Sequence, residues 1–367
     1  MALLFRIPFR VFSLVLVACG AGSLFSLAVV RGLDSADIKA PRTTLDVLEA
    51  WQNRLGEVRR LHAVAYLGDS TALSDKGHKY TIPGRLDAEL KKRDEPPRLI
   101  SLADAGLGPI DYYLLASELI QAEPAAIVVS LNLASLSSIW LSRSSHPEFA
   151  SVIGLERWPE AFGLPLAASG LTADRLLLYP WLQAMGLSSS WRQLVDYQAR
   201  VLAAWRALEN RLDGAHGPLA THRFVAFMRL AAEKKNDEAL RLMQQARYGK
   251  VIEGLDSGNP SLQILSLALR DWRSAGIPVL LVVIPVNVEL FESLGIANAE
   301  GLRQTSRRLA EITQTTGAHF LDLHDLLPAV SFADAHGHFA PGADPDGARR
   351  IAKRLAPVLE AMVRGQH

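Results

Sequence analysis

Short, unbroken apolar runs separated by segments of helical spacing recur in two stretches, about 61–140 and 261–360. In the first, Ala63-Val64-Ala65-Tyr66-Leu67, Arg98-Leu99-Ile100-Ser101-Leu102 and Ala125-Ala126-Ile127-Val128-Val129-Ser130-Leu131 read as strands. Helices over about 82–92 and 112–121 fall between them. In the second, Ile277 to Ile284 and Ala318 to Leu323 read as strands, preceded by helices that end at Gly276 and Gly317. A last helix runs over about 346–363. Runs of this kind lack the strict alternation of a half-exposed sheet, so they predict parallel strands covered by helices on both faces. Residues from about 145 to 260 break the rhythm: they are rich in leucine and tryptophan and hold no strong strand. They predict a helical insertion that caps or flanks the sheet, with Trp158, Trp181, Trp191 and Trp205 as core residues. Residues 32–60 read as a tether and a leading helix, with Thr44 through Leu55 at helical spacing. The main domain is then 61–363.

The amino terminus carries a different pattern. Val11 to Val30 is a 20-residue stretch without a charge, enough for about 30 Å of helix, the thickness of a bilayer's hydrocarbon. Arg6 and Arg10 precede it, which keeps that end in the cytoplasm and sends the rest outside. Residues 1–31 therefore predict a single-pass anchor in a bacterial inner membrane, with the main domain in the periplasm or cell exterior. An alternative is a lipoprotein processing box, Leu16-Val17-Ala18-Cys19-Gly20, with Cys19 lipidated. The eleven apolar residues after Cys19 favour the uncleaved anchor.

Composition narrows the function classes. A formal net charge of +1 over 367 residues argues against a general nucleic-acid binder. The single cysteine excludes an intrachain disulfide and a cysteine metal cluster. Neither glycine-rich stretch fits a phosphate loop or a dinucleotide fold. No cofactor is expected.

The candidate chemistry begins at Gly68-Asp69-Ser70, where the first strand stops and Thr71-Ala72-Leu73 begins. A serine at the carboxyl end of a strand stands where open α/β sheets bind ligands. Its hydroxyl needs a base, the base needs an orienting group, and an oxyanion needs donors. Phe332-Ala333-Asp334-Ala335-His336-Gly337-His338-Phe339, ahead of the last helix, offers Asp334 as orienter and His338 or His336 as base. The loop after the second strand, Ala103-Asp104-Ala105-Gly106-Leu107-Gly108-Pro109, offers the Gly108 backbone N–H, with Gly106 as the alternative. Asn132, after the third strand, offers a side-chain amide.

Gly-Asp-Ser, then a glycine, then an asparagine, then an Asp/His loop, in that order and at strand ends, resembles the SGNH (GDSL-type) hydrolase superfamily. Pro345-Asp346-Gly347-Ala348-Arg349-Arg350 is similar to that family's closing helix. The resemblance implies a three-layer α/β/α, flavodoxin-like fold around a parallel sheet of about five strands. It implies Ser70 as nucleophile, Asp334 and His338 as its partners, and Gly108, Asn132 and the Ser70 N–H as oxyanion donors. The chain departs from the family pattern in Ser130-Leu131-Asn132-Leu133, where Gly-x-Asn-Asp is usual. It departs again where Asp-x-x-His is usual, since Asp334 to His338 is one residue longer and Asp334 to His336 one shorter. His338 is favoured because Phe339 follows it. The anchor, the insertion and Ile284-Pro285-Val286-Asn287 also resemble membrane-anchored members such as the D-alanine transfer proteins of lipoteichoic acid modification. Those work beside a multispanning membrane acyltransferase.

The expectation is therefore a membrane-anchored serine esterase or O-acyltransferase. It would act on an acylated envelope glycan or small acyl ester, without nucleic acid or metal. The competing expectation is a non-catalytic binding or assembly module that keeps the same fold.

Overall fold

A computed structural model describes residues 44–74, 76–137, 237–296, 299–335, 337–340 and 346–365. The predicted anchor and tether up to residue 43, Cys19, most of the insertion with its four tryptophans, and His336 lie outside the described residues. Among the described residues no helix is long and apolar enough to cross a membrane.

Five parallel strands form one sheet: β1 (Val64–Leu67), β2 (Leu99–Ser101), β3 (Ala126–Leu131), β4 (Val279–Val283) and β5 (His319–Asp322). Their order is β2-β1-β3-β4-β5, the order of flavodoxin-like doubly wound sheets. β1 pairs with β2 through Val64 and Leu99 and with β3 through Val64 and Ala126.

Alternate residues of each strand enter opposite cores. Val64, Tyr66, Ala126, Val128, Leu280 and Val282 pack beneath α2 (Ile82–Leu90) and α9 (Gly347–Val363). Ala65, Leu67, Ile127, Val129, Leu281 and Val283 pack on the other face. There they meet α1 (Thr44–Leu61), α3 (Pro109–Leu114), α4 (Ala116–Gln121), α5 (Asp237–Glu253), α6 (Pro260–Ser274), α7 (Val288–Ser293) and α8 (Ala299–Thr316). Burial on both faces explains why β1, β3 and β4 are apolar almost throughout. Trp51 of α1 and Trp272 of α6 are fully buried in this second layer.

The elements differ from the sequence reading where local signals compete. The leading helix runs on to Leu61, with Arg59 and Arg60 in a last turn whose dipole favours cations. The helix expected over about 112–121 divides at Leu115, whose φ of −89° and ψ of 2° leave the helical region. α7 was not foreseen; Asn287 caps it by accepting from the Leu290 N–H. Of the insertion, the described part holds α5, followed by a loop over residues 254–259 that leads into α6.

α1 turns into β1 within two residues, with the Ala63 N–H donating to the Val58 carbonyl at 3.0 Å. Farther back along α1, Arg54 donates to the carbonyl of Ser101, at the end of β2. The helix thus runs antiparallel to the strands, and its first turn lies on the side of their carboxyl edge.

Candidate active site

Reversal of winding between β1 and β3 opens a crevice at the carboxyl ends of these neighbouring strands. Ser70 leaves β1 on one side of it and Asn132 leaves β3 on the other. Ser70–Ala72 is a single 3₁₀ turn capped by Asp69, whose Oδ1 accepts from the Thr71 N–H at 2.9 Å and from the Thr71 hydroxyl. Asp69 Oδ2 accepts from Asn132 Nδ2 at 3.0 Å. Asp69 is 2% exposed, so this carboxylate ties the two strand ends together out of water. The Asp of the Gly-Asp-Ser motif is therefore structural here.

Gly68 is constrained by space. A Cβ there would stand 3.0 Å from Ala72 Cβ and 3.3 Å from Ser130 Cβ. Its first obstacle, Ala72, belongs to the turn that carries Ser70. Gly68→Ala is expected to push that turn, and any turnover that depends on Ser70 should fall by about tenfold to a hundredfold, as small misplacements do. Its melting temperature should fall by only a few degrees, roughly the effect of 1 kcal/mol. Parental turnover in a folded Gly68→Ala chain would refute that coupling.

The loop after β5 delivers the other two residues. Phe332 and Phe339 form an antiparallel bridge, with rings 5.6 Å apart. The Ala333 N–H donates to the His338 carbonyl at 2.7 Å and the Ala340 N–H to Ser331 at 2.9 Å. This makes a hairpin whose turn spans Asp334 to His338. Gly337 sits in it at φ 88°, a conformation that side chains resist. The longer Asp-to-His spacing is absorbed by that turn.

Within the hairpin, His338 Nδ1 lies 2.7 Å from Asp334 Oδ2, and the His338 N–H donates to Asp334 Oδ1 at 3.2 Å. His338 Nε2 lies 3.1 Å from Ser70 Oγ. A carboxylate only accepts, so Nδ1 carries the proton and Nε2 presents its lone pair to the serine hydroxyl. The hydrogen bond to Asp334 raises the His338 pKa above the ordinary histidine value; burial opposes it, the Asp69 charge adds to it, and Arg247 subtracts. The His338 and Asp334 side chains are 36% and 39% exposed. Water therefore screens the pair more than it would a buried triad.

The three expected oxyanion donors fare differently. The Ser70 N–H has no acceptor among the described residues. Asn132 Oδ1 accepts from the Ala134 N–H at 3.0 Å, and one Nδ2–H goes to Asp69. Its second Nδ2–H remains for a ligand. The expectation for Gly108 needs correction: its N–H donates to Asp111 Oδ2 at 2.9 Å. Asp111 reaches back across the first turn of α3 as the acid of a capping box does, and so takes up that donor. Gly106, the alternative, occupies a left-handed turn at φ 83°.

Three side chains on α5 border this site, and the sequence reading did not single them out. Gln244 donates to the Ala335 carbonyl within the hairpin at 2.5 Å, and the Tyr248 hydroxyl donates to Asn132 Oδ1 at 3.3 Å. The Arg247 guanidinium lies over the Tyr248 ring, 5.7 Å from its centroid. Their signal is faint: a run of Gln244-Gln245-Ala246-Arg247-Tyr248 near the end of the helical insertion expected over about 145–260. A second histidine–carboxylate pair, His324 with Asp322, stands at the end of β5, and Asp322 also accepts from the Ser306 hydroxyl. No described contact joins that pair to Ser70. Among the described residues no group of three or more His, Cys, Asp or Glu could hold a metal ion.

Compared with known proteins, the chain matches no family model and no curated protein.

Proposed function

We infer that this chain is a membrane-anchored serine esterase or O-acyltransferase of SGNH type. The observation that carries the reading is the unbroken contact from Ser70 Oγ to His338 Nε2 at 3.1 Å and from His338 Nδ1 to Asp334 at 2.7 Å. In the proposed reaction the Ser70 proton passes to His338 Nε2 as Oγ bonds to the ester carbonyl carbon. The oxyanion takes hydrogen bonds from the Ser70 N–H and the second Nδ2–H of Asn132. Collapse of the tetrahedral species expels the alcohol, which takes the proton from His338, and leaves acyl-Ser70. Water, or a sugar hydroxyl, then gives its proton to His338 and attacks the acyl-serine, which returns Ser70 with its proton. Hydrolysis and transfer share every group in this sequence of steps.

The charge-free stretch Val11–Val30 behind Arg6 and Arg10 supports an anchor and an extracytoplasmic domain. Acyl esters of cell-envelope glycans are then the substrates within reach, and a multispanning membrane acyltransferase is a fitting partner. Engagement of the Gly108 N–H by Asp111 is the observation that favours the second reading, an inactive module of the same fold. A fluorophosphonate probe separates the two. The esterase reading expects covalent labelling of the full chain, mapped to Ser70 and absent from Ser70→Ala. An unlabelled chain, or labelling that survives Ser70→Ala, favours the module.

A further inference from the structure

α5 meets the site along one face. Gln244 and Tyr248 are four residues apart, so their side chains emerge on the same side of the helix. Both are buried, and each touches a different part of the acyl-transfer machinery. The Tyr248 ring packs on Phe291 with centroids 4.8 Å apart. Its hydroxyl lies 3.8 Å from where a Cβ on Gly337 would stand. Burial raises the Tyr248 pKa, so the phenol stays protonated and can donate. Asn132 Oδ1 has two lone pairs, and the Ala134 N–H and Tyr248 O–H occupy both. A flipped amide would turn its NH₂ toward two donors and lose its bond to Asp69.

We propose that Tyr248 is a positioning residue for acyl transfer at Ser70. It locks the Asn132 amide so that Nδ2 faces Asp69 and its second hydrogen is held for the oxyanion. Gln244, one turn earlier, holds the Asp334–His338 hairpin from the same helix face. One helix of the insertion thereby sets the oxyanion donor and the base in register with each other. The inference rests on the serine-ester reading above.

The experiment measures kcat and KM of the full chain on 4-nitrophenyl acetate, with fluorophosphonate labelling of Ser70 as the control for the reading. Tyr248→Phe keeps the ring and removes the hydroxyl. Its kcat should fall about tenfold, the worth of one buried hydrogen bond, with KM within about twofold. In an Asn132→Ala background the same change should cost less than about twofold, because its target is gone. Gln244→Leu acts on the hairpin, so its roughly tenfold loss should persist in both backgrounds. Gln244→Leu is also the separate arm should Tyr248→Phe not fold. An unlabelled parent chain overturns the reading and the inference together. A labelled parent with unchanged kcat in Tyr248→Phe or Gln244→Leu, or an equal Tyr248→Phe loss in both backgrounds, overturns the inference alone.

Discussion

Ser70→Ala is expected to turn over an aryl acetate at least about 10⁴-fold more slowly than the parent chain, with substrate affinity little changed. The size follows from how the group sits. Ser70 holds the lone pair that would form the acyl bond, and its hydroxyl lies 3.1 Å from His338 Nε2. Removing it leaves only the donors and the crevice, which stabilise charge but cannot form the ester intermediate. The 3₁₀ turn should survive, because Asp69 caps it through Thr71 rather than through the serine hydroxyl. Loss of activity without loss of melting temperature is therefore the expected pairing. A kcat within tenfold of the parent would remove Ser70 from the mechanism.

His338→Ala should cost about 10³-fold or more, since an unassisted serine hydroxyl is a poor nucleophile. The pH profile distinguishes a base from a merely structural neighbour. His338 can accept the Ser70 proton only when neutral, and its bond to Asp334 raises its pKa. The acid limb of kcat/KM should then have its midpoint above the ordinary histidine value of about 6.5. Asp334→Asn removes the charge that raises it, so the midpoint should move down. Because the pair is about one-third exposed, that substitution should lower kcat by only about tenfold to a hundredfold, less than in a buried triad. Stability runs the opposite way in pH: the pair's contribution is present below the unfolded histidine pKa and is lost as pH rises through the raised value. An acid limb with its midpoint below about 6, or none, would exclude His338 as the base.

Much of the fold was legible because the strands are buried on both faces. β3 and β4 read directly as apolar runs, and each lies inside its expected bounds. α7 escaped because its six residues are too few for periodicity to show. At the site, order along the chain was enough to place Ser70, Asn132, Asp334 and His338 at one edge of the sheet. It could not choose among donors. Gly108 looks like an available N–H until Asp111, three residues on, is seen to take it. Nor could spacing alone explain a five-residue Asp334-to-His338 turn. The paired Phe332 and Phe339 on either side were the signal, since they close the hairpin that makes the spacing work. Tyr248 and Gln244 lie more than a hundred residues from Asn132 along the chain. Only packing of α5 against the strand ends reveals them.

The direction of α1 decides which way the molecule would look from a membrane. Its first residue, Thr44, is ten residues before Arg54, about 15 Å farther along the axis toward the carboxyl edge of the sheet. Thr44, where the described chain begins, thus lies on the side of the edge that holds Ser70. The thirteen residues 31–43 can reach no more than about 45 Å even when fully extended. A span at Val11–Val30 would tether the domain by the rim that carries Ser70, so that on the proposed reading an acyl group arriving along the bilayer surface would meet the crevice before the back of the sheet.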